Sequence, residues 1–148
     1  MCDAKEYLRK VKLCDTHINN KLAELERLKA MVQKITATWK DDVVSGGSRS
    51  QDKLGDAVAR IIDLQRELNN DIDNYVDMKQ EIRGIVDKIE DANQVDVIYK
   101  RYFLYESFEQ IACEMHMTFR NVLYIHGKAL EAVEEKLATQ QNFSSDFI

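Results

Sequence analysis

The sequence predicts an all-α protein: a long N-terminal antiparallel helical hairpin of coiled-coil character, then a C-terminal helix-turn-helix unit. Three observations lead there. The 148 residues include no proline and only five glycines, so little in the chain breaks a helix. Two long segments carry apolar residues at seven-residue intervals. A third, "ESFEQIACEMHMTFRNVLYIHGKAL" (Glu106 to Leu130), holds two short helical patterns separated by "EMHMT". The expected organisation is 1–91 hairpin, 92–138 helix-turn-helix unit and 139–148 flexible tail.

The first helix is expected from Asp3 to about Trp39. Asp3 followed by Glu6 has the spacing of a capping box. Val11, Ile18, Leu25, Val32 and Trp39 form one row, and Cys14, Leu28 and Ile35 the companion row, with Lys21 interrupting it. "KDDVVSGGSRSQD" (Lys40 to Asp52) then reads as a polar connection, with Ser50 as N-cap of the next helix. From about Lys53 to Glu90 the row is Leu54, Ile61, Leu68, Tyr75, Ile82 and Ile89. Val58, Ile72 and Val86 are its expected companions, with Gln65 and Lys79 as gaps. Each helix would be on the order of 50 Å long. A short connection between two such stripes favours an antiparallel hairpin. Because a two-helix core is thin, a homodimer forming a four-helix bundle is expected.

"DKIEDANQVD" (Asp87 to Asp96) is either a helix break or a continuous helical joint. After it, Val95, Ile98, Tyr102 and Phe103 stand at helical spacing. Ser107 with Gln110 forms a second capping-box pattern, opening a short helix from Phe108 to Met115 with Ile111, Ala112 and Met115 inward. The small Ala112 lets another helix cross closely. Thr118 is a natural N-cap for a longer helix to about Leu137, with Val122, Ile125, Ala129, Leu130 and Val133 inward. A short helix, a three-residue turn and a longer helix make the helix-turn-helix layout. The end, "ATQQNFSSDFI", has no periodicity and reads as a frayed tail.

Charge and composition narrow the functions. The net charge is −5. From Asn93 onward five basic side chains face eight acidic ones, so any nucleic-acid contact must use a local basic face. Cys2, Cys14 and Cys113 are odd in number and scattered, which fits reduced thiols in a cytoplasmic protein. No apolar run approaches the ~18 residues of a membrane span, and "MCDAKEYLRK" lacks the apolar core of a signal peptide. Cys113, His116 and His126 lack a further ligand at metal spacing. "SGG" at Ser45 to Gly47 is a linker and not a phosphate loop. Neither enzymatic activity nor a cofactor is expected.

Several residues of the C-terminal unit resemble region four of bacterial sigma factors. They are "KRYF" at Lys100 to Phe103, "EQIACEM" at Glu109 to Met115, Thr118, Val122, Ile125, and "KAL" at Lys128 to Leu130. The resemblance covers about 45 residues in order. With the long hairpin in front, the layout is similar to small phage and prophage proteins of the sigma-like, ArpU/RinA-like type from Gram-positive bacteria. That implies a transcription regulator working on double-stranded DNA in the bacterial cytoplasm, with RNA polymerase as a further partner. Two departures stand out: His116 occupies the place of the family's turn glycine, and the recognition helix is poorer in arginine.

If Thr118 starts a recognition helix, the base-reading candidates are Phe119, Arg120, Asn121, Leu123 and Tyr124. Arginine can grip guanine O6 and N7, asparagine adenine N6 and N7, and apolar side chains the thymine methyl. Lys100, Arg101, Thr118 and Lys128 are the phosphate candidates, with Tyr124 able to assist. The competing reading is an adaptor that docks RNA polymerase or a phage partner without reading bases. A lesser one is DNA recognition in phage genome packaging.

Overall fold

The computed structural model describes the backbone of residues 3–41 and 47–145, and the side chains of 3–38 and 51–144. Within these the protein is all-helical. The elements are α1 (Ala4–Asp41), α2 (Gly47–Val86), α3 (Ala92–Ile98), a π-helical turn (Tyr99–Phe103), α4 (Phe108–Glu114) and α5 (Phe119–Ser145). No described helix is long and apolar enough to cross a membrane. Packing groups the chain differently from the division by sequence pattern. One compact unit comprises Cys14–Asn74; the other joins Met1–Leu13 to Tyr75–Ile148.

In the unit Cys14–Asn74, α1 and α2 run as an antiparallel hairpin. Ile18 and Leu25 of α1 are buried, as are Ala57, Leu64 and Leu68 of α2. The first row of α2 was legible, and of its companions Val86 is buried, but Val58 and Ile72 were each misplaced by one residue. Val58 and Ile72 are 40% and 39% exposed, and Ala57 and Leu64 take the seam instead. A seam alternating steps of three and four residues from Leu54 reaches Ala57, Ile61, Leu64 and Leu68, which avoids burying Gln65. That same row places Asp71 opposite Lys21, the residue that interrupts the α1 pattern, and the two are ion-paired. Lys21 also lies 3.8 Å from Glu67, and Arg60 reaches Glu24 at 3.3 Å. As numbers rise along α1 they fall along α2, which fixes the antiparallel sense.

Part of the expected connection, residues 42–46, lies outside the described residues, as do the Trp39 side chain and residues 146–148. Ser50 is not the N-cap: α2 already begins at Gly47. Once a helix is nucleated, its propagation tolerates the modest propensity cost of glycine and serine.

In the second unit, the start of α1 and the end of α2 meet the C-terminal helices around one core. It holds Leu8, Val11, Ile82, Ile85, Val86, Ile98, Ala129 and Val133, all 2% exposed or less. The joint after α2 is a break. Asp91 caps α3, its Oδ1 accepting from the backbone N–H groups of Asn93 (2.9 Å) and Gln94 (3.2 Å). α3 then widens into the π turn, where Leu104 N–H donates to the Tyr99 carbonyl at 3.1 Å. The extra residue in that turn buries Tyr102 and Phe103 side by side. Ile89, the last member of the α2 row, is buried beyond the helix end. α5 continues to Ser145, past the expected end near Leu137, because weak periodicity does not stop a helix when no proline or glycine follows Leu137.

Candidate nucleic-acid interface

α4, the turn and α5 surround a second small core of Val97, Ile111, Ala112 and Val122, with Met115, Met117 and Ile125 packed against it. Ser107 caps α4, its Oγ accepting from Gln110 N–H at 3.2 Å. The exit from α4 is a Schellman motif: Met117 N–H donates to the Ala112 carbonyl (2.9 Å) and His116 N–H to that of Cys113 (3.4 Å). His116 adopts φ 55°, a left-handed conformation that glycine would enter freely. Thr118 caps α5, with Asn121 N–H donating to its Oγ1 at 3.1 Å. Val122, Ala129 and Val133 are buried, and Ile125 and Leu130 half-buried, as the spacing requires.

The five base-reading candidates come together on the first two turns of α5, all exposed. Phe119 is 44%, Leu123 40% and Tyr124 64% exposed, and Arg120 and Asn121 are open to solvent. Arg120, Tyr124 and Lys128 form a stripe at four-residue spacing. The Lys128 ammonium lies 5.8 Å from the Tyr124 ring centroid and 3.5 Å from Glu131. The first turn of α5 carries no acidic side chain.

The phosphate candidates divide. Lys128 and Thr118 are exposed near that face. Lys100 is engaged elsewhere, 2.8 Å from Glu114, whose hydrogen bond pushes the Lys100 amine above its ordinary pKa and holds the Glu114 carboxyl below its own. Burial and the neighbouring Glu114 raise Glu106. Arg101 is half-buried: it donates to the Glu106 carbonyl at 3.0 Å and lies 4.1 Å from the Phe108 ring centroid.

His126 lies on the inner side of α5. Its Nε2 shares a hydrogen bond of 2.8 Å with the Tyr102 hydroxyl, and Phe108 meets its ring edge-on at 4.9 Å. Burial, reinforced by Lys5 and Arg101, lowers its pKa to about 4, so the imidazole is neutral near pH 7.

The sequence reading missed the start of α1 as part of this surface. A pocket of about 210 Å³ is lined by Lys5, Arg9, Arg101, Tyr102, Phe108, Leu123 and His126. Another, about 170 Å³, shares Arg9, Arg101 and Tyr102 with it and adds Lys12 and Tyr105. Lys5, Arg9 and Lys12 are spaced to lie on one face of α1. A local signal existed: the first thirteen residues carry four basic side chains against two acidic ones. Tyr105, with φ 60°, was also missed as the left-handed residue closing the π turn. Comparison with protein-family models, with curated proteins and with solved structures finds no match for this chain.

Proposed function

We propose that the protein binds double-stranded DNA sequence-specifically, with the first two turns of α5 entering the major groove. One observation carries the reading. Arg120, Asn121 and Tyr124 are solvent-exposed on a helix whose start is fixed by the Thr118 cap and whose other face is locked into the core through Val122. Groups held on a rigid element lose little entropy on binding and can discriminate base edges. The sigma-region-four resemblance makes the role that of a phage- or prophage-type transcription regulator, acting as a homodimer through the hairpin and meeting RNA polymerase at promoters.

The direct test is selection of bound sequences from random duplexes. A defined site should emerge, and Arg120→Ala should weaken it by ~1–3 kcal/mol and relax preference at one base position. Binding that is equal for parent and variant and insensitive to salt would favour the adaptor. The exposed Phe119 and Leu123 are what favour that second reading, since apolar side chains on a helix face also suit a protein groove.

A further inference from the structure

We propose that the cationic groove lined by Lys5, Arg9, Lys12 and Arg101 is a phosphodiester-binding surface, gripping the backbone of the same duplex that α5 reads. Only the source of the phosphates, duplex DNA, rests on the reading of α5 given above.

In a chain of net charge −5, these four cations line two pockets that share Arg9 and Arg101. Among the described residues no carboxylate forms an ion pair with Lys5 or Arg9. Asp3, at the helix start, has its Oδ1 directed to the Lys5 backbone N–H at 3.1 Å, which caps the first turn of α1. The Arg101 guanidinium is held by the Glu106 carbonyl and the Phe108 ring, so it is ordered before any ligand arrives.

The cationic lining and the adjacency of the two pockets point to an extended anion. At about 170 and 210 Å³, and sharing Arg9 and Arg101, each can seat a phosphate group of one strand. Leu123 lines the larger one and belongs to the exposed turns of α5, next to Tyr124 and one helical turn beyond Arg120. A duplex engaged by α5 therefore passes an adjoining bank of positive charge. The groove replaces Lys100, which is tied to Glu114, as the main backbone contact.

The test compares the parent with the double variant Lys5→Gln, Arg9→Gln on short random-sequence duplexes across a salt series, with sequence selection in parallel. Both side chains are exposed, so the fold should survive, and circular dichroism checks it. The double variant should bind random duplex ~10-fold or more weakly at low salt, and its salt slope should be shallower by about two. Lys10→Gln serves as a control, because Lys10 lies on α1 but lines a different pocket with Glu81 and Leu137; it should bind like the parent. Unchanged affinity and slope in the double variant would overturn the groove while leaving base reading by α5 intact. A parent that binds random duplex through these cations but selects no sequence would keep the groove and remove base reading. A parent that binds no duplex at low salt would overturn both and point to a carboxylate-rich protein partner.

Discussion

His126 puts an ionisable ring where charge is expensive, between Tyr102 and Phe108 and close to the cations Lys5 and Arg101. The folded imidazole titrates near 4, below the ordinary 6.5, so the unfolded chain takes up the proton first as pH falls. Its contribution to stability is complete above about pH 6.5, is lost as the pH drops toward 4, and is flat below that. From pH 7.5 to 4.5 the loss should be on the order of 2–3 kcal/mol. Urea unfolding of the parent and of His126→Gln at both pH values measures it, since the variant lacks this proton uptake while retaining that of the carboxylates. Equal pH dependence in the two proteins would mean the ring is hydrated and free to charge.

At the scale of elements, the turn between α4 and α5 shows what can be read from sequence and what cannot. Ser107 and Thr118 were legible as caps because a hydroxyl followed by a helical apolar pattern has one efficient use: accepting the orphan N–H of the first turn. His116 was legible too as a non-glycine residue at a turn position that favours glycine, and it adopts φ 55°. His116→Gly should therefore raise stability by ~1 kcal/mol in denaturant titration, relieving side-chain crowding in the left-handed region. No gain would mean that contacts of the imidazole offset the backbone cost. The π turn was illegible, because one extra residue between Tyr99 and Leu104 leaves Tyr102 and Phe103 at spacings that an α-helix also permits. In α2 the clue was present in the gaps. Gln65 and Lys79 argued against the row containing Val58 and Ile72, and the buried row through Ala57, Leu64 and Ile85 accepts only one charged residue, Asp71, which Lys21 neutralises. The exposure of Phe119, Arg120, Asn121, Leu123 and Tyr124 was legible because the inward set Val122, Ala129 and Val133 leaves the opposite face of α5 to solvent. The α1 cations were missed because they lie more than a hundred residues away in sequence from the helix they adjoin.

For the whole molecule, the hairpin leaves apolar surface that its own two helices do not cover. Val58, Ile62 and Ile72 are 40%, 50% and 39% exposed, and their spacing puts them on one side of α2, away from the buried stripe of Ala57, Leu64 and Leu68. A second copy related by a two-fold axis could bury that stripe against itself, making four helices from two and giving each hairpin a thicker core. The consequence reaches the DNA. If the chain binds DNA as proposed, a dimer would carry two α5 helices, and the second contact, becoming intramolecular, would gain from effective concentration. Light scattering over a concentration series should therefore show two chains per particle. Ile62→Glu should shift it to one chain while circular dichroism still reports a helical fold, because a charge at an exposed position costs little in the monomer but is buried unpaired in the dimer. The same variant should bind a paired site more weakly by ~10²-fold or more, yet match the parent on an isolated half-site. A parent that scatters as one chain at every concentration would remove the bundle, and any DNA binding would then rest on a single α5.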